Sequence, residues 1–150
     1  MARFELAVRS SNVTTNQAVL EVIAGIKGCR VRSFNITLAT GVTGVFGVGR
    51  PAAAGITPTT PVPFLSNDGG MTLLADSALS RVALAWGTSP TAPAQYFHRL
   101  TVPATVGAIR DIMPANNEVG KGIWVPPGGT LVLFNITGGP TLDVSIDIDG

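Results

Sequence analysis

The sequence predicts an all-β chain folded as a single-domain antiparallel β-sandwich of jelly-roll type, and three observations carry that reading. The first is composition: 16 Val, 16 Thr, 18 Gly and 11 Pro among 150 residues combine strand formers with turn residues that helices tolerate poorly. The second is period, because apolar and polar residues alternate in several short runs instead of recurring at helical spacing. The third is punctuation: Gly and Pro clusters divide those runs at intervals that suit two packed sheets. An immunoglobulin-type domain with its usual disulfide needs two cysteines, and the chain has one, Cys29. Jelly-roll is the sandwich that remains.

The elements follow in chain order. Residues 1–15 read as a short extended N-terminal segment, a candidate arm before the first strand. Residues 18–24 are apolar except for Glu21. Val19, Val22, Ile23 and Ile26 also fit helical spacing with Asn16 as a cap, but the all-β context favours a strand ending at Gly25. The turn Gly25-Ile26-Lys27-Gly28 closes the first hairpin. Residues 30–39 alternate, with Arg30, Arg32, Phe34, Ile36 and Leu38 predicted on one face and Val31, Ser33, Asn35, Thr37 and Ala39 on the other.

Residues 42–48 can form a strand at the start of a Gly-, Thr- and Pro-rich stretch, 41–63, which otherwise reads as an ordered crossing loop. Residues 81–86 place Val82, Leu84 and Trp86 together, and 95–102 and 130–136 give two more strands. The second of these follows the turn Pro126-Pro127-Gly128-Gly129. The last strand, 142–148, sets Leu142, Val144, Ile146 and Ile148 against Asp143, Ser145, Asp147 and Asp149. The tetrapeptide Phe-Asn-Ile-Thr at 34–37 and 134–137 reads as two similar strands of one sheet. No linker divides the chain, so 1–150 is expected to be one domain.

Charge excludes several function classes. Lys plus Arg is 10 against 9 acids, a net charge of +1, so there is no cationic excess to displace counterions from a nucleic acid. The longest apolar run, 18–26, is interrupted by Glu21 and falls short of the ~20 residues of a membrane span. Glu5 breaks the pattern of a signal peptide, and a lone cysteine suits synthesis in a reducing cytoplasm.

Catalytic groups are scarce. His98 is the one imidazole, and a nucleophilic pair with Cys29 is the only thiol arrangement open to the chain. A structural Cys and a surface His are the commoner roles. One His and one Cys cannot make a zinc site. Asp143, Asp147 and Asp149 share a strand face, which lacks the tight loop that calcium ligands need. Asp76, Asp111 and Glu118 show no spacing that points to a glycosidase pair. No catalytic residue, metal or cofactor is therefore assigned. Asn-x-Thr sequons at Asn12, Asn35 and Asn135 read as chance, two of them lying in apolar runs. Trp86, Tyr96 and Trp124 are the candidates for stacking sugars, the basis of an alternative reading as a carbohydrate- or receptor-binding module.

The most informative quantity is the shortage of charge. At 13% charged residues, the chain has about half the share usual for a soluble domain, and buried subunit contacts would account for this. Arg outnumbers Lys by 8 to 2, and Arg is enriched at interfaces because its planar fork bonds in several directions and sheds water readily. Arg3, Phe4, Arg9, Arg30, Arg32 and Arg50, all in the first third, are the candidate interface residues.

Four stretches also resemble small jelly-roll proteins of tailed-phage virions, especially capsid decoration (cement) proteins. They are the segment 2–16, the run Gly47-Val48-Gly49-Arg50-Pro51 with its Thr-Pro-rich sequel, Ala85-Trp86-Gly87-Thr88-Ser89-Pro90, and Trp124-Val125-Pro126-Pro127-Gly128-Gly129-Thr130-Leu131. The resemblance implies a homotrimer on the outer capsid surface of a virion, bridging major capsid protein subunits against internal DNA pressure. It carries no motif that assigns a site residue.

Overall fold

The computed structural model describes residues 3–10, 14–59, 61–66, 80–113 and 122–150. Asn12, Asp76 and Glu118 lie outside the described residues. Among those described there is no helix, and so none long and apolar enough to cross a membrane.

The described residues form fourteen strands, in order β1 (Arg3–Arg9), β2 (Gln17–Ile23), β3 (Cys29–Leu38), β4 (Gly44–Gly49), β5 (Ile56–Thr59), β6 (Val62–Pro63), β7 (Leu65–Ser66), β8 (Arg81–Ala83), β9 (Ala85–Thr88), β10 (His98–Val102), β11 (Ile109–Met113), β12 (Ile123–Val125), β13 (Thr130–Gly138) and β14 (Leu142–Asp149). Sheet A has the order β11-β3-β14-β1-β7, with β12 also on β3. Sheet B runs β10-β4-β13-β2-β8-β6, and β5 and β9 form a separate ribbon. Every pairing is antiparallel. The chain passes back and forth between the sheets, so that β1-β14-β3-β11 faces β2-β13-β4-β10. Those two four-stranded orders are the interleaved Greek keys of a jelly roll.

One core joins the sheets. Leu142, Val144, Ile146 and Ile148 point inward from β14, as their alternation predicts, and meet Leu20, Val22, Phe46, Val48, Leu131 and Leu133 of sheet B. Residues 17–23 adopt the strand and not the helix. A bulge opposite Leu133 and Phe134 turns both Val19 and Leu20 inward, which explains their helix-like adjacency.

Several expectations are corrected. The segment expected as an arm contains β1, which pairs with β14 from Arg3↔Asp149 to Arg9↔Asp143 and inserts Phe4 and Leu6 into the core. Arg3–Arg9 is thus an interior strand, held by seven register pairs. The two Phe-Asn-Ile-Thr copies fall in different sheets, β3 in sheet A and β13 in sheet B. Phe34 fills the core, whereas Phe134 faces the outside of sheet B.

The strict alternation expected for 30–39 breaks at Arg32, where β14 shifts register between Asp147 and Ile148. The extra residue puts Val31 and Cys29 in the core with Phe34 and Ile36 and carries Arg30 out of it. The run 81–86 divides at Leu84: Val82 enters the main core, and Trp86 joins a second cluster.

That second cluster covers the outside of sheet B. Ala18, Val132 and Phe134 lie beneath Trp86, Tyr96 and Ile136. Phe46 and Val48 point inward from β4, so the alternate positions 47 and 49 face outward, and both are glycine. A Cβ at Gly47 would run into the Tyr96 ring, and one at Gly49 would sit 2.8 Å from Pro93. The β5–β9 ribbon is held by Glu21, fully buried, whose carboxylate accepts from Trp86 Nε1 at 2.8 Å and from the Gly55 amide at 3.2 Å. A buried carboxylate is tolerable when donors of this kind replace water.

Candidate interaction surface

The covering of sheet B leaves the side of the sandwich bounded by β10, β11 and β12, the edge strands of the two sheets, as its most distinctive surface. Trp124 on β12 is 43% exposed. Gly28, at φ 74°, closes the turn before β3, and a Cβ there would lie 2.7 Å from the indole. The ring therefore rests across bare backbone, in a position no other residue at 28 would permit. Arg30, opposite Trp124 in the β3–β12 register, lays its guanidinium 5.6 Å from the indole centroid and donates to the Gly122 carbonyl at 3.2 Å.

Arg50 extends the same surface. It follows the last residue of β4, and Pro51 restricts its backbone to extended forms. Its Nη2 donates to the Trp124 carbonyl at 2.9 Å, and its guanidinium stands 5.0 Å from the Phe97 ring centroid. Phe97 is 46% exposed and is fixed by its amide, which donates to the Val48 carbonyl at 2.8 Å. Between Arg50, Pro51, Ala52, Gln95, Tyr96 and Phe97 lies an open groove of about 540 Å³. The result is a continuous array, Arg30–Trp124–Arg50–Phe97, in which two cations lie against two exposed rings and, among the described residues, neither meets a carboxylate. Cation–ring contacts of this kind contribute about 0.5–1 kcal/mol each when exposed and more once water is removed.

The outer face of sheet A is arranged differently. Arg9 Nε and Nη2 donate to the two carboxylate oxygens of Asp143, at 2.7 and 2.8 Å, and hold that carboxyl below its usual range. Arg32 is buried, with Nε and Nη1 each 3.5 Å from the Asp149 carboxylate. Glu5 and Asp147 are direct register partners across β1 and β14, and Ser33 Oγ donates to Asp147 at 3.2 Å. Partial burial, and then the neighbouring Glu5 carboxyl, raises Asp147 above the ordinary carboxylate range. These acids line a second groove, of about 510 Å³, with Ala7, Asn35, Ser145 and Leu65, the last 63% exposed.

Of the six candidate interface residues, the fold brings Arg30 and Arg50 together. Arg3 and Arg9 lie on β1; Arg3 flanks Asp149 in register on the side opposite Arg30, and Arg9 is neutralised by Asp143. Phe4 is 6% exposed and belongs to the core, and Arg32 is equally enclosed by its place in the β3 bulge, so neither is a surface contact. The three sugar-stacking candidates also separate. Trp86 and Tyr96 pack against the second cluster, and only Trp124 is substantially exposed. Phe97 escaped the sequence reading, although the adjacency of Tyr96 and Phe97 was a usable signal: neighbours in an extended chain face opposite ways, so one of the two rings must turn outward.

The chemical candidates are dispersed as well. Cys29 is fully buried, and burial pushes its thiol up to about 11, partly offset by a hydrogen bond with Ser80. Such a thiol is protonated and shielded at neutral pH. His98 sits exposed on β10, paired with Val48. Asp143, Asp147 and Asp149 are each engaged by a different neighbour, and among the described residues no three His, Cys, Asp or Glu side chains converge as metal ligands. Asn135 is wholly enclosed, its amide donating to the Thr14 and Gly138 carbonyls. No family model, curated protein or solved structure matches the chain, so its function has to be argued from these residues.

Proposed function

We propose that this chain is a non-enzymatic structural component of a protein assembly and that it docks through the Arg30–Trp124–Arg50–Phe97 surface. The observation that carries this reading is the array itself. Trp, Tyr and Arg dominate the energetic centres of interfaces because each offers large contact area together with a polar handle. Here Trp124, Arg50 and Phe97 are exposed and Arg30 is half-buried; Arg30 and Trp124 stand on β3 and β12, Arg50 and Phe97 adjoin the ends of β4 and β10, and hydrogen bonds to the backbone hold the group in place. The 13% charge content fits the same reading, since a chain whose surface is partly covered needs less of it.

The resemblance to phage decoration proteins gives this assembly a location: the outer capsid surface of a virion, with the chain as an oligomer, a homotrimer in that family, bridging major capsid protein subunits. Many weak contacts multiplied by the oligomer would supply the affinity. Purified capsids assembled without the chain, from the phage genome that encodes it, should bind it in co-sedimentation. Trp124→Ala with Arg50→Ala should lower that binding at unchanged thermal stability. Equal binding by the variant would remove this surface from the account.

A carbohydrate-binding module is the weaker reading. Stacking a sugar needs a free ring face, and Trp124 and Phe97 each hold a guanidinium nearby. Glycan-array binding that is lost on Trp124→Ala would reverse the order of the two.

A further inference from the structure

We infer that the end of the sandwich opposite the Arg30–Trp124–Arg50–Phe97 surface is where copies of this chain meet, each setting this end against the same end of another copy. The inference rests on the assembly reading above and adds a second contact to it. What carries it is where the chain has no charge.

At that end the chain turns from β1 to β2, from β3 to β4, from β10 to β11 and from β13 to β14. The four connections, 10–16, 39–43, 103–108 and 139–141, contain no Asp, Glu, Lys, Arg or His. Arg9 and Asp143, which adjoin two of them, cancel each other at 2.7 and 2.8 Å. The other end holds Arg30 and Arg50, and the Gly25–Gly28 turn adds Lys27 to it. β3 runs between the two, with Arg30 near its first residue and Leu38 its last, about 26 Å apart in extended chain.

The uncharged end is also apolar and preformed. Val42, Val106 and Ile109 are 45%, 66% and 62% exposed. A Cβ at Gly41 would lie 3.6 Å from a Val106 methyl, so the two loops that carry the valines touch. Hydrogen bonds tie these loops together. The Ala39 amide donates to the Thr141 carbonyl at 2.8 Å, and the Thr141 amide donates to Thr40 Oγ1 at 2.9 Å. Thr43 Oγ1 donates to the Val102 carbonyl at 2.8 Å, and Thr15 Oγ1 to the Gly138 carbonyl at 3.0 Å. A surface ordered before contact loses little entropy on binding.

Charge selects the occupant. Near a symmetry axis each residue faces its own copy, so a charged group there would meet its like. The pattern complementary to itself is an absence of charge, which is also what the centres of interfaces show. A partner bearing carboxylates would match the arginine end instead. Self-contact here leaves the Arg30–Trp124–Arg50–Phe97 surface of every copy open, so one oligomer can engage several capsid subunits at once.

The test places like charges on this end and reads native mass. Val42→Lys with Val106→Lys should weaken self-association at least about tenfold, and so should Val42→Glu with Val106→Glu. Mixing the two variants sets opposite charges across the contact and should restore the oligomer. Ile26→Lys, at a residue of the other end that is 68% exposed, should leave the mass unchanged. Circular dichroism and thermal melting confirm that each variant folds; where a double substitution prevents folding, Thr105→Lys and Thr105→Glu take its place. An oligomer that survives the like charges, a mixture that stays dissociated, or equal disruption by Ile26→Lys would each overturn the end contact. Capsid binding by the wild-type chain would then still uphold the assembly reading. A wild-type chain that is monomeric at every concentration would overturn the end contact too, and one that also fails to bind capsids would overturn both.

Discussion

The arginines of the outer face of sheet A and those of the β12 edge are the same residue type put to opposite uses. Arg9 and Arg32 each meet a carboxylate of β14 within the chain. Arg30 and Arg50 meet rings and carbonyls, and neither makes an ion pair among the described residues. The lesson is that a cation's role is legible from what already neutralises it. An internally paired arginine belongs to the fold, and the pair braced by aromatic contacts is where we propose that a partner docks.

Substitutions can sharpen that contrast, and the largest effect is expected at the buried pair. Arg32→Ala strands the Asp149 carboxylate in a nearly closed site and should cost about 3 kcal/mol in urea unfolding. A loss under half that would mean the 3.5 Å contacts contribute little and water serves Asp149 instead. Next in size is the anchored ribbon over sheet B, a region whose polar groups are fully committed. Trp86→Phe leaves buried Glu21 with the Gly55 amide alone, an expected loss of about 1–3 kcal/mol, checked by the same titration.

A smaller effect concerns Asp147. Its carboxyl is raised in the folded chain, so the native state holds that proton to higher pH than the unfolded chain does. The stability contributed by protonating Asp147 is present below the ordinary carboxylate range and is lost as pH rises through the raised value. Asp147→Asn should flatten the stability profile across that window, and an unchanged profile would show that the Asp147 carboxyl is not raised in the folded chain. The smallest effect is expected at Arg9, whose contact with Asp143 is fully solvated: Arg9→Ala should leave the unfolding midpoint where it was. Arg50→Ala should match it in stability, within about 0.5 kcal/mol, but differ from it in capsid co-sedimentation.

How much of this was legible in the sequence depends on the range of the interaction. The strict alternation of 142–148 specified β14 because one face is wholly buried, and a one-residue slip would turn every aspartate inward. Turn chemistry at Gly25–Gly28 and Pro126–Gly129 was local and therefore readable. The bulge at Arg32 was not, since it arises from how β3 and β14 pair across more than a hundred residues of chain. The same holds for Gly47 and Gly49, whose missing side chains make sense only once Tyr96 and Pro93 are seen to lie on them. Of the candidate interface, the type of residue was legible and the grouping was not. Eight arginines against two lysines suggested contact chemistry, but only the β3–β12 pairing and the end of β4 could select Arg30 and Arg50 from the rest.

The central claim is that this chain hides its missing surface charge in contacts with its own copies. Static light scattering across a dilution series tests it most directly. The account predicts a closed oligomer that persists on dilution. A wild-type chain that scatters as a monomer at every concentration would contradict it.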